Sequence, residues 1–209
     1  MQVMRMKVFS SGTELAHNLR WRSKMRKNSG FSIIELCVAV AIIAIIVSIG
    51  LPSLISWRQS AHLGKAARDV YGGLQKAKME ATRNNRFCQF KFSGVNVDGQ
   101  QYDFFIFIDS NPRNFVYEPG VDTFVTGYVA DEYPGVRRDP TKGTNGITFV
   151  NESGNPIDYI TFAPDGLPKL MNGNLTGGSL FLRDGGRNGR RVRVSVAGTI
   201  QISKYDPNP

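Results

Sequence analysis

Residues 31–51, FSIIELCVAVAIIAIIVSIGL, form an apolar run with Glu35 as its only ionisable residue. At about 1.5 Å of helical rise per residue, the run is long enough to cross a hydrocarbon core of about 30 Å. Past Pro52 the pattern changes period. Leu63, Ala67, Val70, Leu74, Ala77 and Ala81 recur at spacings of four and three, with Arg58, Lys65, Arg68, Asp69, Lys76 and Lys78 largely between them. That is the apolar stripe of an amphipathic helix. The spacing predicts a helix from the apolar run to about Asn84 or Asn85, kinked at Pro52, which lacks an amide donor and crowds the preceding turn.

The amphipathic half of this helix needs a sheet to cover its stripe, and strand-like runs follow at 87–92, 102–108, 115–117, 124–129, 147–150 and 159–162. The last runs, 179–183, 190–196 and 199–203, are separated by a Gly-rich turn at 184–189 and by Ala197-Gly198, and so read as a three-stranded meander. The expected fold class is α+β, one long N-terminal helix packed on antiparallel sheet. The expected organisation is a leader at 1–30, a transmembrane helix at 31–51, its amphipathic continuation at 52–85 and a β-rich domain at 86–209.

Charge fixes an orientation. The chain of 209 residues carries 26 Lys+Arg against 17 Asp+Glu, a formal +9 that by itself suggests nucleic acid or an anionic surface as partner. Seven of those basic residues and one acidic residue precede Phe31, which leaves only +3 for the rest. By the positive-inside rule the basic cluster stays in the cytoplasm and everything after Pro52 is exported, a single-pass inner-membrane topology with the N-terminus inside. A secretory signal peptide would have a shorter apolar core and a small-x-small cleavage site, which Ile49-Gly50-Leu51-Pro52 does not offer. An ordinary signal anchor explains the run and the charge. It gives no reason for a carboxylate near the start of the span, where unpaired burial costs on the order of a few kcal/mol.

The segment Gly30-Phe31-Ser32-Ile33-Ile34-Glu35-Leu36 resembles the processing signature of type IV prepilins and type II secretion pseudopilins. The resemblance implies cleavage between Gly30 and Phe31 by a prepilin peptidase on the cytoplasmic side, N-methylation of Phe31 and retention of the apolar helix. It also implies that Glu35, one helical turn from the freed amine, pairs with the N-terminus of a neighbouring subunit during assembly. The leader is longer than many in the family, and Met25-Arg26-Lys27-Asn28-Ser29-Gly30 would be a complete short one, so translation is expected to begin at Met25. Residues 66–81, Ile160-Thr161-Phe162-Ala163-Pro164-Asp165-Gly166 and 192–200 are similar to the GspH/FimT family, while the loops from about 111 to 145 carry no part of this resemblance. That family comprises H-type pseudopilins of type II secretion and FimT-like minor pilins of type IV pili. The expected partners are therefore the peptidase, other pilin-like subunits, the inner membrane and secreted cargo.

Other chemistries compete with this reading. Arg183, Arg187, Arg190, Arg191 and Arg193 crowd one hairpin, as phosphate contacts would require. Some FimT-like proteins bind DNA through Gly-Arg-x-Arg in the last strand. Here that position reads Gly198-Thr199-Ile200-Gln201, without either arginine, while Gly189-Arg190-Arg191 is partly similar. A solvated hairpin is the simpler expectation. Asp109-Ser110-Asn111 offers too few oxygens for calcium, which takes about six to eight, and Asp184-Gly185-Gly186 reads as a turn. Cys37 and Cys88 lie on opposite sides of the expected membrane boundary, and His17 and His62 are far apart, so neither a disulfide nor a metal or thiol site is expected. Ser195 has no recognisable triad, and neither catalysis nor a cofactor is expected.

Overall fold

A computed structural model describes residues 30–110, 114–186 and 188–208. The chain divides into two compact units at Ala44/Ile45. In the first unit the described residues are Gly30, Phe31 and Ser32 followed by helix, all exposed. The second holds the rest of that helix and all the β-structure.

Helix α1 spans Ile33–Asn84 and runs through Pro52 without ending. Its stop is built into the chain: Asn85 takes a left-handed φ of 51°. The Asn85 amide donates to the Thr82 carbonyl and the Arg86 amide to the Ala81 carbonyl, the paired bonds of a Schellman end. Within the second unit, Leu63, Ala67, Val70, Leu74, Ala77 and Ala81 are all buried, so the stripe read from spacing is the face that packs. The small residues in it bring the backbone close to the sheet. A Cβ added at Gly73 would lie 2.6 Å from Phe90 Cε2 and 3.1 Å from Tyr128 Oη.

Among the described residues ten strands follow: β1 Cys88–Lys91, β2 Val95–Val97, β3 Gln100–Tyr102, β4 Phe104–Ile108, β5 Thr123–Tyr128, β6 Arg137–Arg138, β7 Tyr159–Phe162, β8 Gly178–Arg183, β9 Gly189–Val194 and β10 Ile200–Tyr205. They form two four-stranded antiparallel sheets, ordered β5-β4-β1-β7 and β10-β9-β8-β6, and a separate β2-β3 hairpin. Strands β8, β9 and β10 make the expected meander. In the first sheet the register pairs Cys88 with Ile108 and Phe162, and Phe90 with Ile106 and Ile160. These side chains join the α1 stripe in one core with Leu180, Leu182, Val192, Val194 and Ile200 of the second sheet.

Two expected strands do not form. The aromatic segment 115–117 is instead part of a loop over the other face of the first sheet. Tyr117 sits 5.4 Å from the Phe105 ring and 5.3 Å from the Phe107 ring. Carboxylates hold this loop: Asp109 accepts from the Phe115 amide, and Asp122 accepts from those of Ser110 and Glu118. Phe115 takes φ 60°, incompatible with an extended ladder. The segment 147–150 makes only isolated bridges, Ile147 to Leu180 and Val150 to Pro156, because Gly143, Gly146 and Gly154 curl the chain through positive φ around it. Conversely, β2, β3 and β6 are short and largely polar, and hydrophobic patterning does not mark them.

Candidate processing and assembly site

Helix α1 begins late enough to leave its first residues free. The Leu36 amide donates to the Ser32 carbonyl at 3.1 Å, opening the first turn, while Gly30 and Phe31 stay outside the helix. Gly30 is exposed, with nothing within 4 Å of where a Cβ would stand, and Phe31 is 82% exposed. The Gly30–Phe31 peptide bond is therefore exposed and outside the helix. Glu35 lies in the first turn, where the unpaired amides and the helix dipole favour an anion. It stands four residues beyond Phe31 in the chain. Residues 1–29, with Met25 and His17, lie outside the described residues.

Beyond Glu35 the helix is apolar and unpartnered. Leu36, Ile43, Ile46, Ile49, Ile55 and Trp57 are more than half exposed, as are Ile33 and Ile34 before Glu35. The helix is long and apolar enough to cross a membrane. Cys37 lies exposed in this stretch. Cys88 is buried in the β1 core, and burial above all, with some help from Glu80 and against Lys76, pushes its thiol up to about 12.

The basic hairpin is less uniform than its sequence. Arg187 lies outside the described residues. Arg190 shares the inner side of β9 with Val192 and Val194, whereas Arg191 and Arg193 alternate to the outer side. Arg191 Nε donates to Ser203 Oγ at 3.2 Å. Arg183 turns inward, its Nη1 lying 3.9 Å from Oδ1 of the fully buried Asp139. Asp139 also accepts from the Thr141 amide and hydroxyl and from the Tyr205 hydroxyl. Burial would raise its carboxyl, but these bonds and Arg183 outweigh that and hold it below the ordinary carboxylate range. Burial, and then the bond to Asp139, pushes the Tyr205 hydroxyl up. This clasp of β6, β8 and β10 escaped sequence reasoning, since Asp139 and Tyr205 are 66 residues apart.

The remaining candidates resolve into local structure. Asp184 accepts from the Gly186 and Asn188 amides and the Asn188 side chain, closing the β8–β9 turn. Ser195 Oγ accepts from the Thr199 amide in the β9–β10 turn. Of Asp109-Ser110-Asn111, the first two take part in holding the aromatic loop, and Asn111 lies outside the described residues. Among the described residues there is no cluster of three or more His, Cys, Asp or Glu arranged to hold a metal.

The family described as type II transport protein GspH matches residues 66–199, from the buried stripe of α1 through the β9–β10 turn. The chain belongs to the GspH family. The prokaryotic N-terminal methylation motif matches residues 25–51, the segment that carries Gly30, Phe31 and Glu35. Together they make the chain a type IV pilin-like minor pseudopilin. No curated protein matches the chain. Among solved structures it is similar to the Pseudomonas aeruginosa (strain PAO1) type IV minor pilin FimU in two crystal forms, at 18% identity in each. The first has a TM-score of 0.37 and covers 70% of this chain and 92% of that one; the second has a TM-score of 0.35 and covers 68% and 92%.

Proposed function

We propose that this GspH-family chain is a minor subunit of a type II secretion pseudopilus, anchored in the inner membrane by the first half of α1 with its β-rich domain outside. A prepilin peptidase cuts Gly30–Phe31, Phe31 is N-methylated, and the exposed apolar half of α1 packs against those of other pilin-like subunits at or near the filament tip. Glu35 neutralises the new amine of a neighbour, so that a charge too costly to bury alone becomes the contact that sets register. The chain supplies no catalysis; its β-rich domain presents surface to other minor subunits or to secreted cargo. The observation that carries this reading is an exposed Gly30–Phe31 bond outside the helix, with Glu35 one turn into an apolar, unpartnered helix.

The test is the intact mass of the protein from membranes of its host, with fragmentation of its N-terminal peptide. An N-terminus at methylated Phe31 is expected. An uncut leader, or a cut after the apolar run, would return the chain to a signal anchor or a secreted domain. In a peptidase-deficient strain, the mass of the unprocessed form tests the start at Met25, and a mass that includes Met1 excludes it. A second reading, a FimT-like minor pilin that contacts DNA, is favoured by Arg191 and Arg193 sharing the outer side of β9. Failure of the purified protein to bind duplex DNA at low salt would remove it.

A further inference from the structure

The inner side of the second sheet changes character along its length. Reading the β9–β10 register toward the β8–β9 turn, the pairs are Val194 with Ile200, Val192 with Ile202, and then Arg190 with Lys204. The first pair is buried in the core. The last is two cations directly opposite each other, an arrangement that costs stability unless an anion sits between them. Among the described residues neither Arg190 nor Lys204 makes an ion pair. Both line a cleft of about 210 Å³ with Ser60 of α1 and Asp206, the latter occupied by the Asn208 amide.

Ser60 fixes where this cleft lies along the helix. Leu54, Ile55 and Trp57 are all substantially exposed, so the apolar surface of α1 continues to within one turn of Ser60. Tryptophan is the side chain that settles at the boundary between hydrocarbon and water. Three residues of helix rise about 4.5 Å, which is less than the depth of one headgroup layer. The opposite end of the same sheet is held elsewhere on α1, where Lys78 Nζ donates to the Gly198 carbonyl at 2.9 Å. The cationic pair thus lies toward the Trp57 end of the domain's share of α1, away from the Gly198 turn.

From this geometry we infer that Arg190 and Lys204 bind the phosphate of an anionic phospholipid headgroup and hold the unassembled subunit's domain against the membrane surface. The inference rests on the membrane-anchored reading above. Charge complementarity supports it, because the two cations outnumber the one carboxylate in the cleft and phosphate accepts from both. The pair also differs from the outward-facing Arg191 and Arg193, which point to the other side of the sheet.

The test is amide hydrogen exchange on the full mature chain reconstituted in proteoliposomes of phosphatidylcholine alone or of phosphatidylcholine with phosphatidylglycerol. Amides of 188–191 and 203–206 are expected to exchange roughly tenfold more slowly in the anionic vesicles at low salt, with the difference lost at high salt. R190Q/K204Q is expected to abolish the difference and R190K/K204R to keep most of it. Unchanged exchange in β4 shows that each variant is folded. Equal exchange in both vesicle types, or slowing that survives R190Q/K204Q, overturns the proposal. So does duplex DNA slowing the same amides in phosphatidylcholine vesicles while phosphatidylglycerol does not, which assigns the pair to nucleic acid. Slowing by inorganic phosphate alone, matching that of phosphatidylglycerol, overturns it in favour of a free-anion pocket. A chain that fails to float with vesicles defeats the anchoring reading itself, and this proposal with it.

Discussion

Gly72 and Gly73 are neighbours on α1 with opposite surroundings. A Cβ at Gly72 meets nothing within 4 Å, whereas one at Gly73 runs into Phe90 and Tyr128. Neither takes a positive φ, so only packing and helix propensity separate them. Gly72→Ala is expected to raise the unfolding free energy of the solubilised subunit by up to about 1 kcal/mol through lost backbone entropy in the unfolded chain. Gly73→Ala is expected to lower it by about 1–3 kcal/mol, because the helix must lift from β1 or Phe90 must leave its rotamer. Denaturant unfolding measures both, and a destabilising Gly72→Ala would contradict this account. The stripe of fours and threes was legible, but the Gly-Gly pair alone did not say which residue met the sheet. That depends on the aromatic side chain opposite, which the helix sequence does not contain.

At the scale of elements, sequence reading succeeded where local pattern and burial agree. The meander β8–β9–β10 shows alternation, turns and pairing within about thirty residues, so local signals sufficed. Segment 115–117 looked like a strand because it is aromatic, yet its rings cover a sheet and carboxylates take up its amides. Aromatic density reports burial and does not tell a ladder from a lid. The Asp139 clasp is a second element-scale feature without a local signal, and it makes stability depend on pH. An Asp whose folded-state carboxyl lies below its ordinary value of 3.8 contributes stability that is complete above that value. That stability is lost as pH falls through the folded value. The unfolding midpoint should therefore hold from neutral pH to about 4 and fall below it, with part of the fall absent in Asp139→Asn. At neutral pH Asp139→Ala should cost about 3 kcal/mol, since it leaves the largely buried Arg183 without its anion. Urea midpoints from pH 7 to pH 3 test the set, and an unchanged slope in Asp139→Asn would remove the clasp as its cause.

The molecule as a whole joins two relationships with water in one chain. Residues 45–209 bury a core of their own, whereas the first half of α1 turns nearly every apolar side chain outward. This contrast was the most legible feature of the sequence, since an unbroken apolar run, a basic segment before it and a lone carboxylate within it need no tertiary information. What sequence left open is which surfaces of the β-rich domain meet partners, because those are assembled from distant strands. On the proposed reading, Glu35 has no structural duty in the isolated subunit. It sits exposed at the helix start, and among the described residues it forms no ion pair. Glu35→Ala should accordingly leave cleavage at Gly30, membrane insertion and the stability of the β-rich domain unchanged. It should lower the amount of subunit recovered in sheared filaments at least about tenfold, because a buried amine without its partner costs several kcal/mol per contact. Glu35→Asp, which keeps the charge on a shorter arm, should fall between. Loss of cleavage in Glu35→Ala would make the carboxylate a peptidase determinant, and recovery in filaments at the level of the unaltered chain would mean that another group neutralises the amine.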